Sequence, residues 1–382
     1  NEGTQVHAVG ALLSLASHDV SSRNAVVKRL VPVLDLRSAT AQMNAAEAIA
    51  LLAARSDENR KAITDADAVE PLVRLLGDGR RVRAGTPQER AAAVLADLAR
   101  SSDNKSSIVK VGGVGPLIAM LSSDSIATQT YASGALLQLS ALGTNRTTIA
   151  EAGAIPPLVE LLSSHSTDTQ KSAAGALWNL ASSAESKIQM RDAGAIPRLV
   201  RVLRCKSADT REHAVAVLSA LARSQGQNKK LIYDAAALEP LIALLDDQRS
   251  MTQRHAACCL WALSDGKDGV YDKAIAEGGA IPKLANMLNK DDLETRGFAA
   301  AALLCICRDE TAHAAIMNSD GVHALVALAY GLTAGTWLHT QVVEMLTLLS
   351  VPIPDPDSLW HSRLPTPLPG CAASATVAAT AD

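Results

Sequence analysis

The strongest constraint on this chain is that it repeats itself. Take the leucine that opens Leu-Val-Glu-Leu-Leu at Leu158. Its counterparts are Leu30, Leu72, Leu117, Leu199, Leu241, Leu284 and Leu325, at successive separations of 42, 45, 41, 41, 42, 43 and 41 residues. A second series runs Leu12, Ile49, Leu95, Leu136, Leu177, Leu218, Leu260, Leu303 and Leu346. A period in this range means stacked helical units, each too small to bury its apolar face alone. Such a stack shares one continuous core and offers a long surface before it offers a deep pocket. The expectation is therefore a single solenoid over residues 1–350 and a binding protein rather than an enzyme.

The composition fits a stack. Apolar residues make up 48% of the 382 but aromatic ones only 2%, so the core must be Ala, Leu, Val and Ile. The net charge of −3 gives no bulk attraction to nucleic acid or to acidic membrane. No run of 18 uncharged apolar residues exists to span a bilayer. The chain opens on Asn1 in the middle of a repeat and reads as a piece of a longer protein. The six cysteines fit neither a disulfide framework nor a zinc site. Cys258, Cys259, Cys305 and Cys307 stand where other repeats carry small residues, and read as packing. A reducing compartment, the cytoplasm or alternatively the nucleus, is the expectation. The glycosylation patterns at Asn104 and Asn145 read as incidental.

One unit can be read from Thr144 to Ser183. Asn145 heads a short first helix as a candidate cap, with similar heads at Asn59, Asn104 and Asn228. Gly153 ends that helix in a sharp turn. Pro156 and Pro157 start the second helix, where a missing N–H costs nothing. The turn recurs at Gly113, Gly194 and Gly279. A polar loop follows, and then a longer third helix from about Thr169 to Ala181. Ala173, Ala174, Leu177 and Leu180 give it a broad apolar face. Gln opens this helix at Gln42, Gln88, Gln129, Gln170 and Gln253. In Glu151-Ala-Gly-Ala-Ile-Pro-Pro-Leu-Val-Glu-Leu-Leu and Ala-Ala-Gly-Ala-Leu-Trp-Asn-Leu-Ala181 the chain resembles the armadillo-repeat family. The catenins, importin-alpha and many plant and protist scaffolds belong to that family. HEAT repeats are the near alternative, and the Gly-then-Pro break argues against them. The resemblance implies an all-α, right-handed superhelical solenoid: about eight three-helix units after a leading third helix.

The units differ. Residues 19–30 are too short for a full first helix and its turn. The loop between Leu76 and Gln88 is lengthened and carries Arg80, Arg81 and Arg83. The last unit replaces the proline position by His323 and Ala324. The N-terminal helix bearing Val6, Val9, Leu12, Leu13 and Leu15 lacks its own first two helices, so it is a candidate for self-association. Residues 351–382 are rich in proline and read as a disordered tail, with Leu359 and Trp360 its only sticky side chains.

No enzyme signature survives inspection. Gly112-Gly-Val-Gly115 lacks the strand and the Gly-Lys-Ser/Thr ending of a phosphate loop. There is no Gly-x-Ser-x-Gly elbow and no His-Glu-x-x-His pair. His213 and His255 occupy equivalent places in consecutive third helices, about 8–10 Å apart in a stack and too far to share a metal without other ligands. No catalytic residue, cofactor or metal is expected.

The resemblance implies that third helices line a concave groove. The residues five before, two before and two after the Leu177 position share one helical face. Five before stand Arg90, Tyr131, Ser172, His213 and His255. Two after stand Asp97, Gln138 and Asn179, then Ala220, Ala262, Cys305 and Leu348. Importin-alpha carries Trp at the middle position; here that position holds Ala93, Gly134, Gly175 and Cys258. The expected function is a non-catalytic scaffold or adaptor that holds an extended protein or peptide segment in the groove. Asp97, Gln138 and Asn179 would hold its backbone, with selectivity from Arg90, Tyr131 and Ser172, and His213 and His255 further along the same groove. Neither nucleic acid nor membrane insertion is expected. The alternative is the substrate-recognition part of a U-box-type ubiquitin ligase whose catalytic domain lies outside this chain; a nuclear-import adaptor ranks behind both.

Overall fold

The computed structural model describes residues 11, 14, 19–77, 79, 82–224, 226–265, 270–319, 321–332 and 336–352. The expected leading helix, Arg80, Arg81 and the tail beyond Pro352 lie outside these residues. Every regular element among the described residues is helical. The chain divides into two compact units, Asn1–Ala237 and Leu238–Asp382.

In the first unit, one helix, Val20–Leu30, runs straight on into a 3-10 turn, Val31–Asp35, before the third helix Ala39–Arg55. This is the shortened repeat that the sequence implies. Full repeats follow as Asp57–Asp65, Val69–Leu76 and Pro87–Leu98; then Ser102–Lys110, Val114–Met120 and Ile126–Ala141. Next come Gly143–Glu151, Ile155–Leu161 and Thr167–Leu180, and then Ala184–Asp192, Ala195–Val202 and Ala208–Ala222. Gly226–Asp234 closes the unit. Each third helix packs against the next, from Ala39–Arg55 through Ala208–Ala222. The second unit holds Leu238–Leu244 and Ser250–Ser264; then Asp272–Glu277, Ala280–Met287 and Leu293–Cys307; and finally His313–Met317, Gly321–Gly331 and Trp337–Leu348. Its third helices pack in succession too.

Both leucine series form the core. Leu72, Leu117, Leu158, Leu199, Leu241, Leu284 and Leu325 are fully buried, as are Ile49, Leu95, Leu136, Leu177, Leu218, Leu260, Leu303 and Leu346. Each such burial contributes about 1.5–3 kcal/mol, repeated at every period. Cys258, Cys259, Cys305 and Cys307 are buried as packing residues. Burial pushes the Cys307 thiol up to about 11, so it stays protonated.

The turn between first and second helices needs one residue in the left-handed region. Gly153 (φ 83°), Gly194 (φ 71°) and Gly279 (φ 82°) supply it as expected. In the third repeat it is Gly112 (φ 85°) rather than Gly113. Gly113 is needed for space, since a Cβ there would fall 2.8 Å from Ile108 Cγ2. Where the sequence lacks glycine, Asp67 (φ 55°) and Ala236 (φ 56°) take the same conformation.

The asparagines that head the first helices are not caps, contrary to expectation. Ser56 caps Asp57–Asp65 by accepting the Asn59 N–H at 3.2 Å. The asparagine amides instead donate backwards: Asn59 to Leu52 O (2.9 Å), Asn104 to Leu98 O (3.0 Å), Asn145 to Leu139 O (3.1 Å) and Asn228 to Leu221 O (3.0 Å). They satisfy carbonyls left open at the end of the preceding third helix. The glutamines that open third helices do similar work on loop carbonyls, as Gln129 does on Ser123 O (2.8 Å) and Gln253 on Asp247 O (2.7 Å).

Candidate functional site

The lengthened loop is anchored at both ends. A Cβ on Gly79 would fall 2.0 Å from Pro116 O, so only glycine permits this approach. Val82 is buried, and its carbonyl accepts from Ser123 Oγ at 2.7 Å. Thr86 caps the helix Pro87–Leu98, and Glu89 reaches back to the N–H of Gly85, one residue before the cap, at 3.1 Å, a variant of the capping box. Glu89 also accepts from Ser125 Oγ (2.8 Å) and Thr128 Oγ1 (2.7 Å) of the following repeat. Burial pushes its carboxyl up, but the hydrogen bonds from Thr128, Ser125 and Gly85, with the charge of Arg90, outweigh that and hold it below its ordinary value. The Thr86-x-x-Glu89 spacing marks a helix start, but nothing in the local sequence marks the contacts to Ser125 and Thr128, 36 and 39 residues away.

The third-helix face runs beside this clamp. Arg90, Asp97, Tyr131, Gln138, Ser172 and Asn179 are all half-buried in the first unit. Arg90 pairs with Glu47 of the preceding third helix at 2.5 Å. Asp97 lies 3.7 Å from Arg100. Desolvation raises the Asp97 carboxyl above the usual range, against the pull of Arg100 and Arg60. Between Tyr131 and Gln138 the floor is Gly134, where a Cβ would meet nothing nearer than Ser172 Oγ at 3.9 Å. Neither Tyr131, Gln138 nor Ser172 has a side-chain hydrogen bond among the described residues. Asn179 is different. Its amide donates to Leu137 O (3.3 Å) and Ser140 Oγ (3.2 Å) of the preceding repeat. Both donors are thus engaged, and only Oδ1 remains to accept. Gln138 keeps both capabilities.

His213 is half-buried and stacked on Trp178, with ring centroids 5.6 Å apart. The absence of a side chain at Gly175 makes room for it: a Cβ there would sit 2.8 Å from Leu137 Cδ1 and 3.0 Å from His213 Cε1. Burial lowers the His213 pKa, so the ring is neutral at pH 7. His255 is also half-buried, but it belongs to the second unit. There the face changes: Cys258, Ala262, Ala301 and Cys305 occupy the middle and last positions, all buried. Trp261 meets Phe298 at 5.7 Å and Trp337 at 6.1 Å. Trp178 and Trp261 each pack between consecutive third helices within their own unit. The aromatic group built on Phe298 and Trp337 was not anticipated, because Trp337 precedes the last repeat's aligned positions.

The armadillo/beta-catenin-like repeat pattern matches residues 101–141, 145–182, 183–223 and 227–265. The chain belongs to the armadillo-repeat family. Its fold is accordingly the all-α armadillo solenoid. An engineered protein of known structure is 31% identical, with a TM-score of 0.74 over 92% of this chain and 86% of the other. A second engineered protein is 32% identical, with a TM-score of 0.55 over 64% of this chain and 97% of its own. A designed armadillo repeat protein in complex with the peptide (KR)4 is 25% identical, with a TM-score of 0.53 over 62% and 99% of the two chains. The search of curated proteins returned no match. Armadillo repeats are in general binding scaffolds. Among the described residues no helix is long and apolar enough to cross a membrane, and no three His, Cys, Asp or Glu gather as metal ligands.

Proposed function

We propose that this armadillo chain is a non-catalytic cytoplasmic scaffold that holds an extended peptide segment of a partner protein along the third helices of residues 87–180. The observation that carries this reading is the open polar face: Tyr131, Gln138 and Ser172 flank the bare backbone of Gly134, half-exposed and without internal partners. An extended chain presents alternating N–H and C=O groups, and the Gln138 amide can pair with one of each. The Asn179 Oδ1 and the Asp97 carboxylate accept N–H groups. Arg90 and Tyr131 supply side-chain selectivity. The designed armadillo protein that carries a peptide gives the reading a precedent in the same repeat.

The test is a peptide selected from a displayed library by the intact chain and then titrated. Gln138→Ala with Ser172→Leu removes the amide and obstructs the Gly134 floor. Loss of one hydrogen-bonding side chain costs about 0.5–1.5 kcal/mol, so the double change should weaken the peptide by roughly tenfold or more. Unchanged affinity would place binding elsewhere and defeat the reading.

A further inference from the structure

The second unit carries a cleft that the polar face does not explain. Its volume is about 500 Å³, and Leu293, Gly297, Phe298, Leu332 and Trp337 line it. Leu293 and Trp337 are 53% and 52% exposed, the most open large apolar side chains after Val270 among the described residues of this unit. Trp337 lies over Gly297, whose Cβ would be 3.3 Å from its ring. Phe298 and Trp337 both pack on Trp261, which fixes the aromatic walls. The charge at the rim is engaged, since Glu294 pairs with Arg254. A rigid aromatic cleft of this kind suits a proline-rich segment. Such a segment stacks on ring faces and loses little entropy on ordering.

The chain itself supplies one. Trp337 starts the last described helix, Trp337–Leu348, whose 12 residues span about 18 Å. Ser350 then turns left-handed (φ 55°), and the Val351 N–H bonds back to Leu346 O at 2.9 Å. That turn ends the helix and bends the chain back on its last turn. Prolines follow at Pro352, Pro354 and Pro356, and then Leu359 and Trp360. The eight steps from Pro352 to Trp360 can cover about 25 Å in extended form, more than the helix length that separates Ser350 from Trp337. Leu359 and Trp360 are thus the first large apolar pair able to return to the cleft.

We propose that the cleft between Leu293, Phe298 and Trp337 is the docking site of the chain's own segment 353–369, with Trp360 entering it. The segment then covers the exposed apolar wall, and any outside ligand of this cleft must displace it. The peptide-binding reading of the polar face stands or falls separately.

The test uses the full chain labelled with 5-fluorotryptophan, which gives four indole resonances for Trp178, Trp261, Trp337 and Trp360. Trp337→Phe identifies the reporter. Trp360→Ser, outside the helical repeats, should move the Trp337 resonance, and a synthetic peptide of residues 353–369 should return it. The tethered segment acts at high effective concentration, so the peptide should bind the Trp360→Ser chain on the order of tenfold more tightly than the wild type. A Trp337 resonance indifferent to Trp360→Ser would overturn the proposal, as would equal peptide binding by both chains. A shift that grows with protein concentration would assign the cleft to a second copy and overturn it too.

Discussion

The third helices Ile126–Ala141 and Thr167–Leu180 of the first unit share a repeat with Ser250–Ser264 and Leu293–Cys307 of the second, yet they present opposite faces. In the first pair the position two before the core leucine is glycine and the position two after is an amide, Gln138 or Asn179, half-open to solvent. In the second pair the same positions are Cys258, Ala301, Ala262 and Cys305, all buried. The core beneath is identical in kind, because Leu136, Leu177, Leu260 and Leu303 are all fully buried. A repeat therefore fixes the scaffold while leaving its outward face free to vary. In the first pair these positions keep half-exposed hydrogen-bonding groups; in the second they are closed, and Leu293 and Trp337 stand exposed nearby.

The largest expected effects test whether the two cores are equivalent. Leu177→Ala and Leu303→Ala should each cost about 2–5 kcal/mol through the cavity left behind. Denaturant unfolding would show similar losses, and hydrogen exchange would show loosening confined to adjoining repeats. A large cost at one site with little at the other would end the equivalence.

Next comes the closed face. Ala262→Gln places an amide where the chain has no room for one, and burying it unpaired should cost about 1–3 kcal/mol. The same change at the half-exposed Ala220 should stay within about 0.5 kcal/mol. Equal thermal shifts would show that the two positions do not differ as described.

Glu89 adds a pH dependence to the first unit. Its folded pKa is lowered from an ordinary 4.5. Its stabilisation is therefore fully present above that value and disappears as pH falls through the folded pKa. Glu89→Gln should cost about 1–3 kcal/mol at neutral pH and flatten the acid side of the stability profile. A profile identical to wild type would remove Glu89 from the account.

The glycines give a finer contrast. Gly134→Ala meets only Ser172 Oγ at 3.9 Å, an ordinary contact, and should stabilise its helix by about 0.5–1 kcal/mol. Gly175→Ala must push Leu137 or His213 aside, so it should gain nothing and should alter the Trp178 fluorescence set by the His213 stack. The smallest effect on stability belongs to Gln138→Ala, within about 0.5 kcal/mol, although the proposed peptide site is centred on this residue. A marked drop in melting temperature would mean that Gln138 is structural. Asn179→Ala is a weaker probe, because it also breaks the bonds to Leu137 and Ser140.

The repeat, the three helices of each full unit, the leucine ladders and the shortened first repeat were all legible in the amino-acid order. These follow from local signals: apolar spacing at helical period, glycine where the backbone must turn left-handed, proline where a helix begins. Register against Leu177 picks out one face of each third helix, which is half-buried at Gln138 and Asn179 but buried at Ala262 and Cys305. Which polar atoms on that face remain available depends instead on packing between repeats. Asn145 looks like a cap and is instead a donor to Leu139. Asn179 looks like a free amide, but Ser140, 39 residues earlier, takes one of its hydrogens. Glu89 looks like a surface residue and is clamped by Thr128, 39 residues later. Trp337 falls outside the repeat alignment, yet Trp261 brings it to Phe298. Helix and core are encoded within a repeat; the use of its polar and aromatic side chains depends on the neighbouring repeat, about forty residues away.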